Sequence, residues 1–390
     1  MACAPSLFRN HHSRTNPIPS GILIGGLKAP NRKMFGSDLN LCICPMTTSL
    51  MGHASSSDNS KIKQGPDHLL VLVHGIMASP SDWIYAEEQL KRRLGSNFLI
   101  YASSSNSYTK TFGGIDGAGR RLADEILDVV QQTDSLRKIS FLAHSLGGLF
   151  ARYAIAVLYN LENLRRGQHG YSTSHTNGIS DKLKSLSASG TIAGLEPINF
   201  ITLATPHLGV RGKKQLPFLL GVPILEKLAP PLAPIFIGQT GRQLFLTDGK
   251  PSKPPLLLRM TSDSEDKKSA LAAFQCRILY ANVSYDHMVG WRTSSIRRET
   301  ELIKPSRRSL GGYKHVVNVE DCPPEMIQGL QRIGWKKVDV SFHSAPWPLF
   351  AHNNIHVKRE WLHNAGAGVI AHVADSIKQQ EETALHAVNA

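Results

Sequence analysis

The chain has 390 residues, of which 41% are hydrophobic and 19% charged; 44 Lys and Arg against 30 Asp and Glu leave a formal charge of +14. That apolar fraction excludes a disordered or fibrous chain. No run approaches the roughly 18 apolar residues of a membrane-spanning helix, since the greasiest, Leu216–Leu225, is broken by Pro217 and Pro223. The positive charge is diffuse, with no basic stripe interleaved with aromatics, which argues against nucleic acid as a partner and fits peripheral attraction to an anionic lipid surface.

Residues 1–64 read as a segment apart. They hold seven basic residues (Arg9, Arg14, Lys28, Arg32, Lys33, Lys61 and Lys63) and two acidic ones (Asp38 and Asp58). Acidic-poor segments containing Arg and Ser have the composition of organellar transit peptides. We expect delivery to a plastid, with a mitochondrion or the cytosol as alternatives; a plain disordered tail would have the same composition. Three of the five cysteines (Cys3, Cys42 and Cys44) fall here and only Cys276 and Cys322 beyond. No disulfide framework is therefore expected, and a reducing compartment is the simple reading.

From about residue 65 to 380 the pattern is that of one α/β domain. Leu69–Val73, Phe98–Ala102, Ile139–Ala143, Phe200–Leu203, Arg277–Ala281 and Val338–Phe342 are short apolar runs of strand length. Several are nearly unbroken Val, Ile and Leu, as in strands of a parallel sheet covered on both faces. Trp83–Leu94 and Ile115–Gln132 carry apolar residues at helical spacing between them. This alternation predicts a mostly parallel central sheet with helices on both faces. Two insertions interrupt it. Residues 160–195 are polar and rich in Ser, Gly and Asn. Residues 208–260 hold many Leu and Ile with eight Pro between Pro217 and Pro255, a composition that suits a lid over an apolar cleft or an ordinary packed subdomain.

The strongest chemical signal is Ile139-Ser-Phe-Leu-Ala-His-Ser-Leu-Gly-Gly148, running straight into Leu149-Phe-Ala-Arg-Tyr-Ala-Ile155. A strand, a sharp turn and a helix form a nucleophile elbow with Ser145 at its tip. The turn requires small residues two before and two after the nucleophile; Ala143 and Gly147 supply them. Upstream, Leu70-Val-Leu-Val-His-Gly-Ile-Met-Ala-Ser-Pro80 ends a strand in a loop of small residues. Such a loop donates a backbone N–H to an oxyanion alongside the residue after the nucleophile. Those donors would be Ile76, with Met77 as second choice, and Leu146; His74 is read as structural, bonded within the loop.

A serine nucleophile needs a base, and the base an acid, in the chain order Ser, Asp/Glu, His. Asp286 follows the strand ending near Ala281 and is taken as the acid over Asp248, Asp263 and Glu299. After the last strand come His343, His352 and His356; His352 is taken as the base, the other two remaining alternatives. Asn282-Val-Ser284 matches a glycosylation sequon but abuts a buried strand. The late histidines (His352, His356, His363 and His372) lack metal-site spacing, and the chemistry calls for no cofactor.

Val-His-Gly75, Ala-His-Ser-Leu-Gly-Gly-Leu-x-Ala-Arg-Tyr-Ala154, Thr202-Leu-Ala-Thr-Pro-His-Leu-Gly209 and His352-Asn-Asn-Ile-x-Val357 together resemble the DUF676 serine esterases, lipase-like α/β-hydrolases, over about residues 66–375. The resemblance implies ester hydrolysis on acyl lipids such as monoacylglycerol, lysolipid or galactolipid, with Ser145, Asp286 and His352 as the triad. It has the Thr205-Pro-His-Leu-Gly209 segment shape the acyl pocket, with Thr205 and Pro206 at the substrate and His207 structural; Met77 is also expected to touch substrate. The same machinery would serve a thioesterase or an acyltransferase, and a fold kept only to bind lipid would be the non-catalytic alternative.

Overall fold

The computed structural model describes residues 65–169, 190–210, 235, 237–261, 270–305, 308–321, 330 and 333–389, all within the unit Lys61–Ala390. Residues 1–64 and the Pro-rich part of the second insertion, 211–234, lie outside them, and so do the expectations of a transit segment and a lid.

Among the described residues the elements that frame the sheet and the site are, in chain order, β1 (His68–Val73), α1 (Ile84–Leu94), β2 (Phe98–Ala102), α2 (Ile115–Gln131), β3 (Lys138–His144), α3 (Gly147–His169), β4 (Glu196–Leu203), β5 (Cys276–Asn282), α4 (Trp291–Ser295), β6 (Val316–Asp321), β7 (Lys336–Val340), α5 (Ala351–Asn354) and α6 (Ala367–Asn389), beside short helical turns such as Leu256–Arg259 and Glu360–His363. The strands form one seven-stranded sheet in the order β2-β1-β3-β4-β5-β7-β6, parallel except for β6, which runs antiparallel to β7 at the edge.

The unbroken apolar runs are explained by burial on both faces. Alternate residues of a strand point to opposite sides, and here both sides are packed. Leu69, Val71 and Val73 of β1 and Phe141 of β3 meet Ile115, Leu122 and Ile126 of α2 and Leu149 and Phe150 of α3 in one core. Leu70, Leu72 and Leu142 face the other way, onto Ala86 and Leu90 of α1 and Val369, Ile370, Val373 and Ile377 of α6. Burial in α2 recurs at Ile115, Ala118, Leu122 and Ile126, the three- and four-residue spacing of a helix with one apolar stripe.

Three differences from the expected elements have physical reasons. The edge strand β6 (Val-Val-Asn-Val-Glu-Asp) was not anticipated, because an edge strand is covered on fewer sides and carries no continuous apolar run. It also shifts register between Val316 and Asn318. Strand β7 begins at Lys336 rather than Val338: its two lysines stand opposite Glu320 and Asp321 of β6, a cross-strand charge pairing that apolarity does not reveal. Finally, α3 runs on to His169, so the first residues assigned to the polar excursion are helical.

Because the strands are parallel, β1, β3, β4, β5 and β7 all end at the same edge of the sheet, and the loops after them converge there. The opposite edge is tied to the end of the chain: the buried His68 bonds Glu381 of α6 (2.7 Å) through Nδ1 and the Ser140 hydroxyl (2.8 Å) through Nε2, while Lys138 Nζ donates to the other oxygen of Glu381 (2.8 Å). The loop after β5 is anchored at its far end by Asp339 of β7, which accepts from Trp291 Nε1 (2.8 Å) and Arg297 (2.6 Å).

Candidate active site

At the converging edge β3 turns into α3 through Ser145, whose φ of +54° lies in the left-handed region. That conformation is strained for a residue with a side chain, and the surroundings enforce it. The Ser145 amide donates to Leu203 O (2.8 Å), and the Thr205 hydroxyl donates to Ser145 O (2.9 Å). The small residues of the elbow are required by distance. A Cβ on Gly147 would sit 2.4 Å from Val73 O and 2.5 Å from His74 O, and one on Gly148 would sit 2.2 Å from Thr205 Oγ1. Helix α3 begins beneath the serine, and its N-terminal amides favour negative charge developing there.

The loops after β5 and β7 bring the other two polar partners to Ser145. His352 Nε2 lies 3.0 Å from Ser145 Oγ, and His352 Nδ1 lies 3.1 Å from Asp286 Oδ2. All three residues are buried. With Nδ1 protonated toward the carboxylate, Nε2 is free to accept the serine hydroxyl. Asp286 is held on every side: Oδ1 accepts the Met288 and Val289 amides (2.9 and 2.8 Å), and Oδ2 also accepts Asn282 Nδ2 (2.8 Å). Burial by itself would raise the Asp286 pKa, but His352 and these donors outweigh it and hold the carboxyl below its ordinary value.

Of the alternatives, His343 bonds Ser341 (3.3 Å) rather than the serine. His356 is buried in a stack on His144, with ring centroids 3.7 Å apart, and edge-on to Trp83. Asp248 caps the Leu256 amide (2.9 Å), Glu299 is exposed, and Asp263 lies outside the described residues.

The loop after β1 lies directly against the elbow, for a Cβ on Gly75 would meet Ser145 Cβ at 2.9 Å. Its Met77 amide is occupied, donating to Thr111 Oγ1 (3.2 Å). The Ile76 and Leu146 amides have no acceptor among the described residues. His74 Nδ1 donates to Gly75 O (3.1 Å), within the loop as expected, and burial lowers its pKa. Met77 is half exposed, whereas Thr205 and Pro206 are buried. Thr205 supports the elbow, its hydroxyl donating to Ser145 O (2.9 Å). His207 is fully buried, bonded to Thr202 Oγ1 (3.0 Å).

Two residues of the site were given no role from sequence. Asn282 was noticed only as a sequon, yet its side chain is buried and spent on Asp286; an amide four residues before an acid at a strand end was the available signal. His144 stands inside the elbow motif, but nothing in the motif says that its Nε2 donates to the backbone carbonyl of His352 (2.8 Å). Burial above all, with His356 and His352 adding to it, keeps His144 neutral, its pKa well below the ordinary imidazole value.

A mostly parallel sheet in this order, flanked by helices and bearing a serine on a strained strand-to-helix turn, is the α/β-hydrolase fold. The chain belongs to the family described as "Putative serine esterase (DUF676)", which matches residues 63–296. Among curated proteins it is similar to "Putative lipase C4A8.10" of Schizosaccharomyces pombe, 30% identical over 59% of this chain and 26% of that protein. It is similar also to "Putative lipase YDL109C" of Saccharomyces cerevisiae, 31% identical over 59% of this chain and 30% of that protein. The matched region thus spans less than a third of those relatives' length. Among solved structures it shows a distant likeness to Aspergillus fumigatus lipase B, with TM-score 0.38 and 10% identity over 74% of this chain and 49% of that one. A likeness to Bacillus licheniformis lipase BlEst2 has TM-score 0.32 and 16% identity over 57% of this chain and 37% of that one.

Proposed function

We propose that this protein is a serine hydrolase that cleaves carboxylic esters of acyl lipids through an acyl-enzyme. The observation that carries the reading is the unbroken run from Ser145 Oγ to His352 Nε2 (3.0 Å) and from His352 Nδ1 to Asp286 (3.1 Å) on a strained elbow. In this reading Ser145 Oγ attacks the ester carbonyl as His352 takes its proton, and ionised Asp286 stabilises the resulting imidazolium. The Ile76 and Leu146 amides receive the tetrahedral oxyanion. His352 then passes the proton to the departing alcohol, and water activated by the same imidazole releases the acid.

Acyl lipid as the substrate class is supported by the rim. Met77, Leu208, Tyr285, Met288, Trp347, Leu349 and Phe350 are large apolar residues left exposed, and each lies on a loop following β1, β4, β5 or β7, the edge that carries Ser145. The relatives' names point the same way. Peripheral contact with an anionic lipid surface and delivery to a plastid belong to the same proposal.

Labelling with a fluorophosphonate tests it. The unaltered protein is expected to label, and Ser145→Ala and His352→Ala to lose labelling. A folded parent that stays unlabelled with detergent present would overturn the reading in favour of a lipid-binding module. Survival of labelling in His352→Ala would move the base to another histidine. Turnover of monoacylglycerol above that of a short water-soluble ester then tests the substrate class.

A further inference from the structure

The first turn of α2 is capped from elsewhere in the chain. Gly114, at its N-terminus, has φ +95° and no side chain to offer, so the first amides of the helix need outside acceptors. Residues 237–244, a helical stretch in the second half of the second insertion, supply them. Thr240 Oγ1 accepts the Gly114 amide (3.0 Å), and Gln243 Oε1 accepts the Ile115 amide while its Nε2 donates to Asp116 Oδ1 (2.8 Å). Thr240 and Gln243 are fully buried.

The same contact continues toward the catalytic edge. The Thr240 hydroxyl donates to Thr111 O (2.7 Å), and the Thr111 hydroxyl donates to Tyr108 O (2.6 Å) while accepting the Met77 amide (3.2 Å). A second stitch runs from the Tyr108 amide to Ala78 O (2.8 Å). Thr111 is also fully buried. Two hydroxyls, each both donating and accepting, therefore join the insertion to the loop after β1. Met77 sits in the left-handed region at φ +52°, so the peptide between Ile76 and Met77 depends on this external hold. The Ile76 amide, one residue earlier, is the one left without an acceptor.

We propose that Thr111 and Thr240 are positioning residues through which the second insertion sets the aim of the Ile76 oxyanion donor. The inference rests on the serine-hydrolase reading above. It assigns the insertion a part in forming the tetrahedral intermediate, separate from any covering of the cleft, so hydrolysis of a small ester that needs no lid should still depend on it.

The test uses the full chain, p-nitrophenyl butyrate as substrate and a hexyl trifluoromethyl ketone as probe. Ser145 Oγ adds to the ketone carbon, the carbonyl π pair moves to oxygen, and His352 takes the hydroxyl proton, so the adduct needs the same oxyanion donors as the reaction. Thr111→Val is expected to lower kcat about 10- to 100-fold with KM little changed, less than or comparable to deleting a donor outright. The ketone's inhibition constant should rise by the same factor as kcat/KM falls, and Thr111→Ser should restore both. Should Thr111→Val fail to fold, Thr240→Val carries the test with the same expectations. A folded valine variant at either position that keeps kcat and ketone affinity overturns the inference, as does a fall in kcat that the ketone does not follow. Those outcomes leave the hydrolase reading standing; a parent that neither hydrolyses the ester nor labels overturns both.

Discussion

Asn282 and His352 share one oxygen of Asp286: the asparagine Nδ2 and the histidine Nδ1 both bond Oδ2, at 2.8 and 3.1 Å. The last residue of β5 thereby fixes which lone pair the carboxylate presents to the imidazole, and Asp286 has little freedom to rotate because the Met288 and Val289 amides hold Oδ1.

Removing that amide should loosen the acid while keeping it ionised. Asn282→Ala is expected to lower kcat for a p-nitrophenyl ester about tenfold, the lower end for a group that supports general-base catalysis, with KM nearly unchanged. Asp286→Asn should be far worse, because it turns the imidazole to the wrong tautomer. Steady-state kinetics on the two variants checks the ranking. The same burial predicts that Asn282 carries no glycan even when the chain is expressed through a secretory host, which intact-mass measurement would check.

His144→Phe would keep a ring in the stack on His356 but lose the donor to the His352 carbonyl. The expected result is a folded protein, with a melting temperature within a few degrees of the parent and a kcat about tenfold lower, since a base held loosely spends less time within reach of the serine. His144→Gln, which offers an amide donor in its place, should recover part of the loss. Circular dichroism melts beside kinetics separate this from a folding defect.

The two elbow glycines should fail differently. In Gly147→Ala the new methyl meets backbone carbonyls at 2.4 and 2.5 Å, whereas in Gly148→Ala the nearest atoms all belong to the Thr205 side chain. Backbone cannot step aside and a side chain can be cut away. Thr205→Ala should therefore rescue expression and fold of Gly148→Ala in part and do nothing for Gly147→Ala, a coupling a double-mutant cycle would measure.

Glu381 gives the fold an acid-side dependence. Burial alone would raise its pKa, but the bonds from His68 and Lys138 bring it down to about 2 from 4.5. A carboxyl depressed on folding adds stability that is complete above its unfolded pKa and is lost as pH falls toward the folded one. The window is thus from about pH 5 down to about 2, with an upper bound of about 3 kcal/mol from the size of the shift. Glu381→Gln should lower the melting temperature at pH 7 and flatten its decline across that window; an unchanged slope would show that the ion pair does not carry the effect.

What could be read from sequence was what the chain's periodicity and short motifs encode. Strands buried on both faces announce themselves as unbroken runs, so β1 and β3 were legible almost to the residue, and the elbow was legible because only small residues fit where Gly147 and Gly148 sit. The placing of Asp286 and His352 in loops after strands was legible from the strand ends. Edge strand β6 escaped because partial burial leaves no run. The bond from His144 to His352 O and the path from Thr240 to Met77 escaped because they depend on which loops meet after folding, across long separations that no local pattern records. The direction of the Thr205 hydroxyl, onto the Ser145 carbonyl, escaped for the same reason, although its position after a strand was visible.

The family match ends at residue 296, but the imidazole at position 352 and the whole of α6 come after it. Trimming the protein to its recognisable part would leave Ser145 and Asp286 without the imidazole that bonds them both. It would also strip Val369, Ile370, Val373 and Ile377 from the face formed by Leu70, Leu72 and Leu142, baring the part of the sheet that α6 covers beside α1. The folding unit thus outruns the family match, and an expression boundary drawn at residue 296 would expose that apolar face to water.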